Sequence, residues 1–158
     1  KAFAALTTNG TVVTWGHPLY GGDSRSVQKQ LVNVHTVHSA ETAFAAVRDD
    51  GTVVTWGHPE YGGFSHAAQS QLRDVQNIHA SLGAFVALTS RGKVATWGHP
   101  AYGGDSSAVQ EQLYDILEVH ASSGAFAAVR ADGAVITWGH PLSGGDSRPV
   151  RKQLAAQV

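Results

Sequence analysis

The sequence contains no cysteine, no methionine and few charged residues, and these absences exclude several classes of protein. Without cysteine there is no disulfide framework, no thiolate metal site and no cysteine nucleophile. The 11 basic and 12 acidic residues nearly balance, so the basic excess of a nucleic-acid or anionic-membrane surface is missing. No apolar run approaches about 18 residues, so no membrane-spanning segment is expected. Methionine is absent even at position 1, and the chain opens as KAFAAL within a repeat, so we expect a processed product or a piece of a longer polypeptide.

One short sequence recurs four times at a fixed interval. It is TVVTWGHP at 11–18 and 52–59, KVATWGHP at 93–100 and AVITWGHP at 134–141. Its tryptophans follow one another at intervals of 41 residues, as Trp15, Trp56, Trp97 and Trp138. A fixed period of roughly 20 to 50 residues is typical of solenoids, propellers and arrays. We therefore predict a single domain of four repeats, at about residues 1–40, 41–81, 82–122 and 123–158.

Each repeat is predicted to contain a β-hairpin. Its first strand is FAALT at 3–7, with copies at 44–48, 85–89 and 126–130. A turn ending in glycine follows, as in Asn9-Gly10, and Asn-Gly or Asp-Gly between apolar runs is a strong hairpin signal because the turn needs a positive φ. The returning strand carries β-branched residues and the tryptophan. His-Pro ends it, because proline cannot donate to a strand ladder.

Two further segments complete each repeat. A loop containing Gly21-Gly22 leads into the polar connector DSRSVQKQL at 23–31, which the pattern predicts as one helical turn or a poor edge strand. The third segment, VNVHTVHSA at 32–40, is predicted as a strand that leads into the next hairpin. The chain thus starts with a hairpin that lacks its preceding strand, and it ends at 155–158 where such a strand begins. This offset at the two ends is compatible with a ring closed by the C-terminal segment. It is equally compatible with a piece cut from a longer array.

This pattern resembles the RCC1-like repeat (regulator of chromosome condensation). The residues of the second repeat that carry the resemblance are 44–48, 50–51, 53–57, 61–62 and 75–79, and their copies extend it over essentially the whole chain. The resemblance implies an all-β, β-propeller-like fold that presents loops to protein partners. We expect four repeats of about three short antiparallel strands plus a short helical or extended connector. Family members usually have seven longer blades, and the compact 41-residue repeat is similar to those of algal and bacterial RCC1-like predicted proteins.

The recurring histidines and tryptophans each have a structural and a functional interpretation. Weak candidates for metal or pigment ligands are His17, His58, His99 and His140. A second series is His38, His79 and His120. Because equivalent positions fall on different blades, we favour hydrogen bonds within each blade and predict no metal site and no cofactor. The tryptophans are interpreted as the apolar anchors of their blades rather than as a ligand surface.

Two patterns suggest residues that bind a partner. Tyr20, Tyr61 and Tyr102 lie in the glycine-rich loops, where they either contact a partner or anchor the loop. Residues that differ between the copies are candidates for specificity, namely Phe64, His66, Tyr114 and Leu117.

No set of nucleophile, general base and orienting acid can be assembled from these repeats, so we predict no catalytic residue and no enzyme. The predicted function is a non-catalytic protein–protein interaction or scaffold module within a larger assembly. It would bind protein partners or associate with itself, and it would not bind nucleic acid. One alternative is a ligand- or pigment-associated accessory subunit, for example of a photosynthetic complex. The other alternative is a regulator of a partner enzyme such as a small GTPase.

Overall fold

The computed structural model describes residues 1–155, and short antiparallel strands dominate it. The strands are β1 (Ala2–Leu6), β2 (Val12–Gly16), β3 (Val34–Ser39), β4 (Ala43–Arg48), β5 (Val53–Gly57), β6 (Val75–Ala80), β7 (Ala84–Thr89), β8 (Val94–Gly98), β9 (Ile116–Ala121), β10 (Ala125–Arg130) and β11 (Val135–Gly139). One short α-helix, α1 (Arg151–Ala155), follows the last strand. Over residues 1–155 no helix is long and apolar enough to cross a membrane.

The strands form four antiparallel sheets, which confirms the all-β repeat prediction. β1 and β2 form a two-stranded sheet, and the others are β3-β4-β5, β6-β7-β8 and β9-β10-β11. Each predicted hairpin is present, and its register places the phenylalanine of the first strand opposite the tryptophan of the second, as in Phe44 and Trp56. The third segment of a repeat pairs with the hairpin of the next repeat. Each three-stranded sheet therefore draws on two sequence repeats.

Glycine is required at the hairpin turns. Gly51 has a φ of +78°, and a Cβ there would lie 3.0 Å from the Cα of Asp74. The Gly51 carbonyl also accepts a hydrogen bond of 3.0 Å from the amide of Val75, at the start of β6. The turn of one sheet is thus hydrogen-bonded to the first strand of the next sheet. A side chain there would force these backbone atoms to shift by a few tenths of an ångström, in addition to the strain of the positive φ.

The core lies between consecutive sheets. Between the first hairpin and the second sheet, Val12, Leu31 and Val34 pack against Phe44 and Trp56. The middle strands are rich in alanine, and Ala43, Ala45 and Ala46 are fully buried. Small side chains let neighbouring sheets approach closely while the phenylalanine and tryptophan fill the space between them. Equivalent clusters lie at the next two interfaces.

The connector is helical, one of the two predicted conformations. One short 3-10 turn lies in the loop before it, at Pro18–Tyr20 in the first repeat, and a second lies within the connector, at Gln28–Gln30. Side-chain hydrogen bonds hold the second turn against the hairpin. In the third repeat Thr96 and Ser106 share a bond of 2.9 Å, and Gln110 donates to the Val94 carbonyl at 3.3 Å. Arg151 replaces this glutamine in the last repeat, where α1 forms instead.

The described residues form an open arc. At the N-terminal end, Phe3 and Trp15 are 64% and 51% exposed, whereas Phe44, Phe85, Trp56 and Trp97 are buried. At the other end, an added Cβ at Gly144 would meet no described atom within 4 Å. The first and fourth repeats therefore do not form the interface that joins the others. The predicted closure by the C-terminal segment falls mainly on residues 156–158, which lie outside the described residues.

Candidate functional site

Three histidines and three tyrosines of the glycine-rich loops form one continuous row along the arc. The ring centroids of His17 and Tyr20 are 4.3 Å apart and stacked. Further along, Tyr61 stacks on His99 at 5.1 Å and lies 6.1 Å from Tyr102. The row is made up of His17, Tyr20, His58, Tyr61, His99 and Tyr102. We call it the histidine–tyrosine row.

The tyrosines of this row anchor a turn of the neighbouring sheet. A Cβ on Gly83, between β6 and β7, would lie 2.7 Å from both Tyr61 and Tyr102. The Ser81 hydroxyl donates a hydrogen bond of 2.8 Å to the Tyr102 carbonyl in the same place. The tyrosine rings are only partly buried, so a ring that anchors a loop can also contact a partner. A role in partner binding stays a prediction.

The histidines after the Trp-Gly pairs hold backbone groups in two of the four repeats. Nδ1 of His99 accepts from the Ala101 amide and Nδ1 of His140 from the Leu142 amide, both at 3.2 Å. The buried Nδ1 of His58 has no hydrogen-bond partner among the described residues. Over residues 1–155 no three histidine or acidic side chains lie close enough to hold a metal ion. Their arrangement therefore supplies no metal centre in this part of the chain.

The second histidine series lines a groove along the inner strands β3, β6 and β9. This groove has a volume of about 780 Å³, and His38, His79 and His120 lie along it. Burial lowers the pKa of His38 and His79. The charge of His79 lowers the pKa of His38 further, and the charge of His120 does the same for His79. The groove thus favours neutral imidazoles at these two positions. Leu117, one of the predicted specificity residues, lies exposed in it.

The tryptophans differ in their surroundings. Trp56, Trp97 and Trp138 are buried, and each stacks or tilts against the phenylalanine paired with it. Each indole Nε1 donates to the first glycine carbonyl of the preceding glycine-rich loop, at 3.0 to 3.1 Å. Trp15 stacks on Phe3 in the same way but stays half exposed. Three tryptophans thus join neighbouring repeats, and the fourth presents its ring to solvent.

A second, more apolar groove lies between the loops of the first and second repeats. Phe64 and His66 stack there with ring centroids 5.7 Å apart. They line a groove of about 600 Å³ with Leu19, Val27 and His58. Leu19 and Phe64 are its most exposed apolar side chains, at 68% and 64%. We call it the Leu19–Phe64 groove.

Sequence reasoning missed Leu19, although a signal for it existed. Its position holds leucine, glutamate, alanine and leucine in the four repeats, so this residue also varies between copies. The predicted residues Tyr114 and Leu117 lie elsewhere. The Arg130 guanidinium sits 4.4 Å over the ring of Tyr114, which lines a separate groove. The structure therefore brings Phe64 and His66 together and places Tyr114 and Leu117 on two other surfaces.

Known structures share this architecture, although no family model and no curated protein matches the sequence. Human WBSCR16 superimposes with a TM-score of 0.62 at 19% identity, over 93% of this chain and 48% of its own. Prp20p from Saccharomyces cerevisiae, from a study of its binding to Gsp1p and histones, gives 0.57 at 17% identity, over 87% and 43%. The same yeast protein, named yeast RCC1 and bound to Kap60, gives 0.58 at 16%, over 90% and 42%.

The chain spans less than half the length of these three structures. Identities of this size show the fold rather than the activity. The sequence pattern, the repeated antiparallel sheets and the superpositions agree on that fold. This chain has the RCC1-like, β-propeller repeat fold.

Proposed function

We propose that this chain is a non-catalytic protein-interaction module that holds an apolar side chain of a protein partner in the Leu19–Phe64 groove. The observation that carries the proposal is that two large apolar residues, each about two thirds exposed, line one groove. Exposed apolar surface inside a concave site is typical of binding surfaces. A few well-packed residues supply most of the binding energy at protein interfaces.

The fold does not require either residue. Glu60 and Ala101 occupy the position of Leu19 in the second and third repeats. Asp23, Asp105 and Asp146 occupy the position of Phe64 in the other three repeats. Those repeats form the same strands and turns. Leucine and phenylalanine are therefore exposed here without a structural need, and a partner contact accounts for them.

The chemistry of the groove favours an uncharged anchor. Its one carboxylate, Asp23, is held by two hydrogen bonds from the Arg25 guanidinium, which lower the pKa of Asp23 to about 2. The remaining polar groups near Phe64 include Ser26, Gln30 and His66. A volume of about 600 Å³ accommodates a few side chains of a loop or short segment. An apolar or aromatic side chain of the partner fits this lining.

The superpositions agree with a protein as the partner. Prp20p was studied for binding to Gsp1p and histones and was crystallised with Kap60. Those proteins are partners of Prp20p, and this chain matches it over less than half of its length. The proposal for this chain is therefore the class of partner, a protein, and the surface that receives it.

The test exchanges the two residues for those of sister repeats. Leu19→Glu and Phe64→Asp each copy a residue that another repeat tolerates, so both variants should fold. The protein is used as bait in extract from its source, and captured proteins are quantified. We expect both variants to lose, by at least about tenfold, a partner that wild type retains. Leu142→Glu, at the position equivalent to Leu19 in the fourth repeat, should retain it. Equal capture by wild type and Phe64→Asp would contradict the proposal.

The two alternative functions can be tested on the same protein, each by a different measurement. A ligand- or pigment-bearing subunit would show a visible absorption band that His58→Ala or His99→Ala removes. A regulator of a small GTPase would accelerate nucleotide release from it, and the bait experiment would identify that GTPase as the captured protein.

A further inference from the structure

The groove that Tyr114 lines carries an excess of positive charge. It has a volume of about 580 Å³ and lies between the segment before β6, the hairpin turn between β7 and β8, and the connector after β8. The charged residues among its described lining are Arg73, Asp74, Arg91 and Lys93, so basic side chains outnumber acidic ones three to one. All three basic residues are exposed. We call it the Arg91 groove.

The hairpin turns of the second and fourth repeats balance their own charge, whereas the turn beside this groove does not. In those two repeats an arginine lies beside an aspartate two residues further along, and Arg130 donates to Asp132 at 2.6 and 2.9 Å. The third repeat has Thr89 in place of this arginine and Arg91 in place of the aspartate. Lys93 follows, at a position that holds threonine or alanine in the other repeats. The turn between β7 and β8 therefore carries two positive charges and no negative one.

The three cations of the groove have no acidic partner among residues 1–155. Neither Arg73, Arg91 nor Lys93 forms an ion pair there. Four other arginines each pair with an aspartate, namely Arg25, Arg48, Arg130 and Arg148. The charges of the groove are therefore available to an anionic group from outside the described chain.

Asp74, the acidic residue of the lining, has a backbone reason to be there. Its φ is +54°, a left-handed conformation that aspartate and asparagine adopt more readily than most residues. Asn33 and Asp115 have the same conformation at the equivalent positions, with φ of +53° and +50°. The carboxylate of Asp74 thus accompanies the turn and does not pair with the cations.

Tyr114 gives the groove an ordered aromatic wall. The Arg130 guanidinium lies 4.4 Å from the centroid of its ring, and Arg130 is itself held by Asp132. The ring remains 48% exposed. It therefore offers an apolar surface beside the cations, against which the aliphatic part of an acidic side chain can pack.

We propose that the Arg91 groove binds an acidic segment of a protein partner. Its aspartate or glutamate carboxylates would accept hydrogen bonds from Arg73, Arg91 and Lys93, and a guanidinium can donate two parallel bonds to one carboxylate. The volume suits a few side chains of such a segment. A nucleic acid would need a longer basic track, and the whole chain has 11 basic against 12 acidic residues. No residue lines both this groove and the Leu19–Phe64 groove.

The test measures binding of a defined acidic peptide. The probe is a fluorescein-labelled octapeptide of alternating glutamate and serine, followed by fluorescence anisotropy up to about 1 mM chain in about 50 mM salt. A second peptide carries glutamine in place of every glutamate, so it reports binding that does not depend on charge. An oligonucleotide of eight thymidines tests a different class of polyanion.

The variants exchange residues between repeats. Arg91→Asp copies the aspartate of the second and fourth repeats, and Lys93→Thr copies the threonine of the first and second, so both should fold. Lys29→Glu is the matched control, because it changes the net charge by as much as Arg91→Asp does. It copies Glu111 at the equivalent position and lies outside the groove. Circular dichroism and thermal unfolding check all three.

We expect wild type and Lys29→Glu to bind the glutamate peptide with affinities within about a factor of two. Arg91→Asp should weaken binding at least about tenfold, because a repulsive charge replaces an attractive one. Lys93→Thr should weaken it about threefold, since one exposed charge is lost. The glutamine peptide should not bind.

Three outcomes would overturn the proposal. The first is a wild-type chain that does not bind the glutamate peptide over the whole range. The second is equal weakening by Lys29→Glu and Arg91→Asp, because that would indicate a response to overall charge. The third is tighter binding of the oligonucleotide than of the peptide, lost in Arg91→Asp, which would assign the groove to nucleic acid. Phe64→Asp should leave peptide binding unchanged, so the two proposals fail independently.

Discussion

The indole Nε1 of Trp97 donates a hydrogen bond of 3.1 Å to the carbonyl oxygen of Gly62 in the preceding repeat. Both groups are buried between sheets, where no water can replace the bond. Trp15 has the same place in its own hairpin, but no glycine-rich loop among the described residues covers it, and it remains half exposed. The chain therefore contains a matched pair of tryptophans, one inside an interface and one outside.

Replacing each tryptophan by phenylalanine should have unequal effects. Trp97→Phe leaves the buried Gly62 carbonyl without a donor and should lower the free energy of unfolding by about 2 kcal/mol. Trp15→Phe should change it by no more than about 0.5 kcal/mol, because Trp15 makes no such contact within the chain. Urea unfolding followed by circular dichroism at low protein concentration measures both changes in the free energy of unfolding. Equal losses would show that the hydrogen bond between repeats is not the cause.

Alanine at two equivalent glycines separates backbone strain from packing. Gly62 and Gly144 have φ values of +107° and +101°, so Gly62→Ala and Gly144→Ala carry a similar strain. Only Gly62→Ala also forces a Cβ against Phe85, at 2.5 Å. We expect Gly62→Ala to be less stable than Gly144→Ala by about 1 to 3 kcal/mol in dilute solution.

Stability should fall in mildly acid solution because of the inner-strand histidines. An unfolded histidine titrates near pH 6.5, and the folded chain holds the pKa of His38 and His79 below that value. Between the lowered pKa and about pH 6.5 the unfolded chain binds more protons than the folded one. The free energy of unfolding is therefore highest above about pH 6.5 and decreases as the pH falls through this window.

Thermal unfolding between about pH 7.5 and 5.5 tests this dependence. His79→Asn cannot titrate and should flatten it. The aspartates held by arginine, with pKa values of about 2, titrate below this range and do not contribute. Identical pH slopes in wild type and His79→Asn would argue against the histidine groove as the cause.

The glutamine of the connector should stabilise the three repeats that have it. Gln110 accepts from Ser106 at 2.7 Å and donates to Val94 at 3.3 Å, and Arg151 holds its position in the last repeat. Gln110→Arg should cost about 1 kcal/mol, since both bonds are lost. The reciprocal Arg151→Gln should increase stability by a similar amount or less. The midpoints of urea unfolding compare these variants with wild type. A Gln110→Arg chain as stable as wild type would show that this glutamine does not stabilise its repeat.

The strands and their order could be predicted largely from local signals. Asn9-Gly10 and its copies set the hairpins, since positive φ and flanking apolar runs leave few other conformations. The connector at 23–31 was ambiguous because its pattern, with Pro149 in the last copy, fits a helical turn or an extended segment equally well. The structure resolves it as a short 3-10 turn, at Gln28–Gln30 in the first repeat.

The contacts of the histidine–tyrosine row and the exposure of Trp15 could not be predicted from single repeats. His17 and Tyr20 are three residues apart, and three residues make one 3-10 turn, so their stacking could have been predicted once that turn was assigned. The contact of Tyr61 with His99 joins two repeats, and only the tertiary arrangement gives it. Trp15 looks like the other tryptophans in sequence. It differs from them in the structure because no other repeat within the described residues packs against it.

Each three-stranded sheet takes its first strand from one sequence repeat and its hairpin from the next. The boundaries of the sequence repeats therefore do not coincide with the boundaries of the sheets. A backbone cut in the turn between β3 and β4, near Glu41, would leave the two fragments joined by the β3–β4 strand ladder. The same phase shift makes the array tolerant of recombination. Adding or removing one 41-residue unit at any breakpoint leaves every strand beside the same type of neighbour. Such a fold can change its length by whole repeats without the redesign of a single interface.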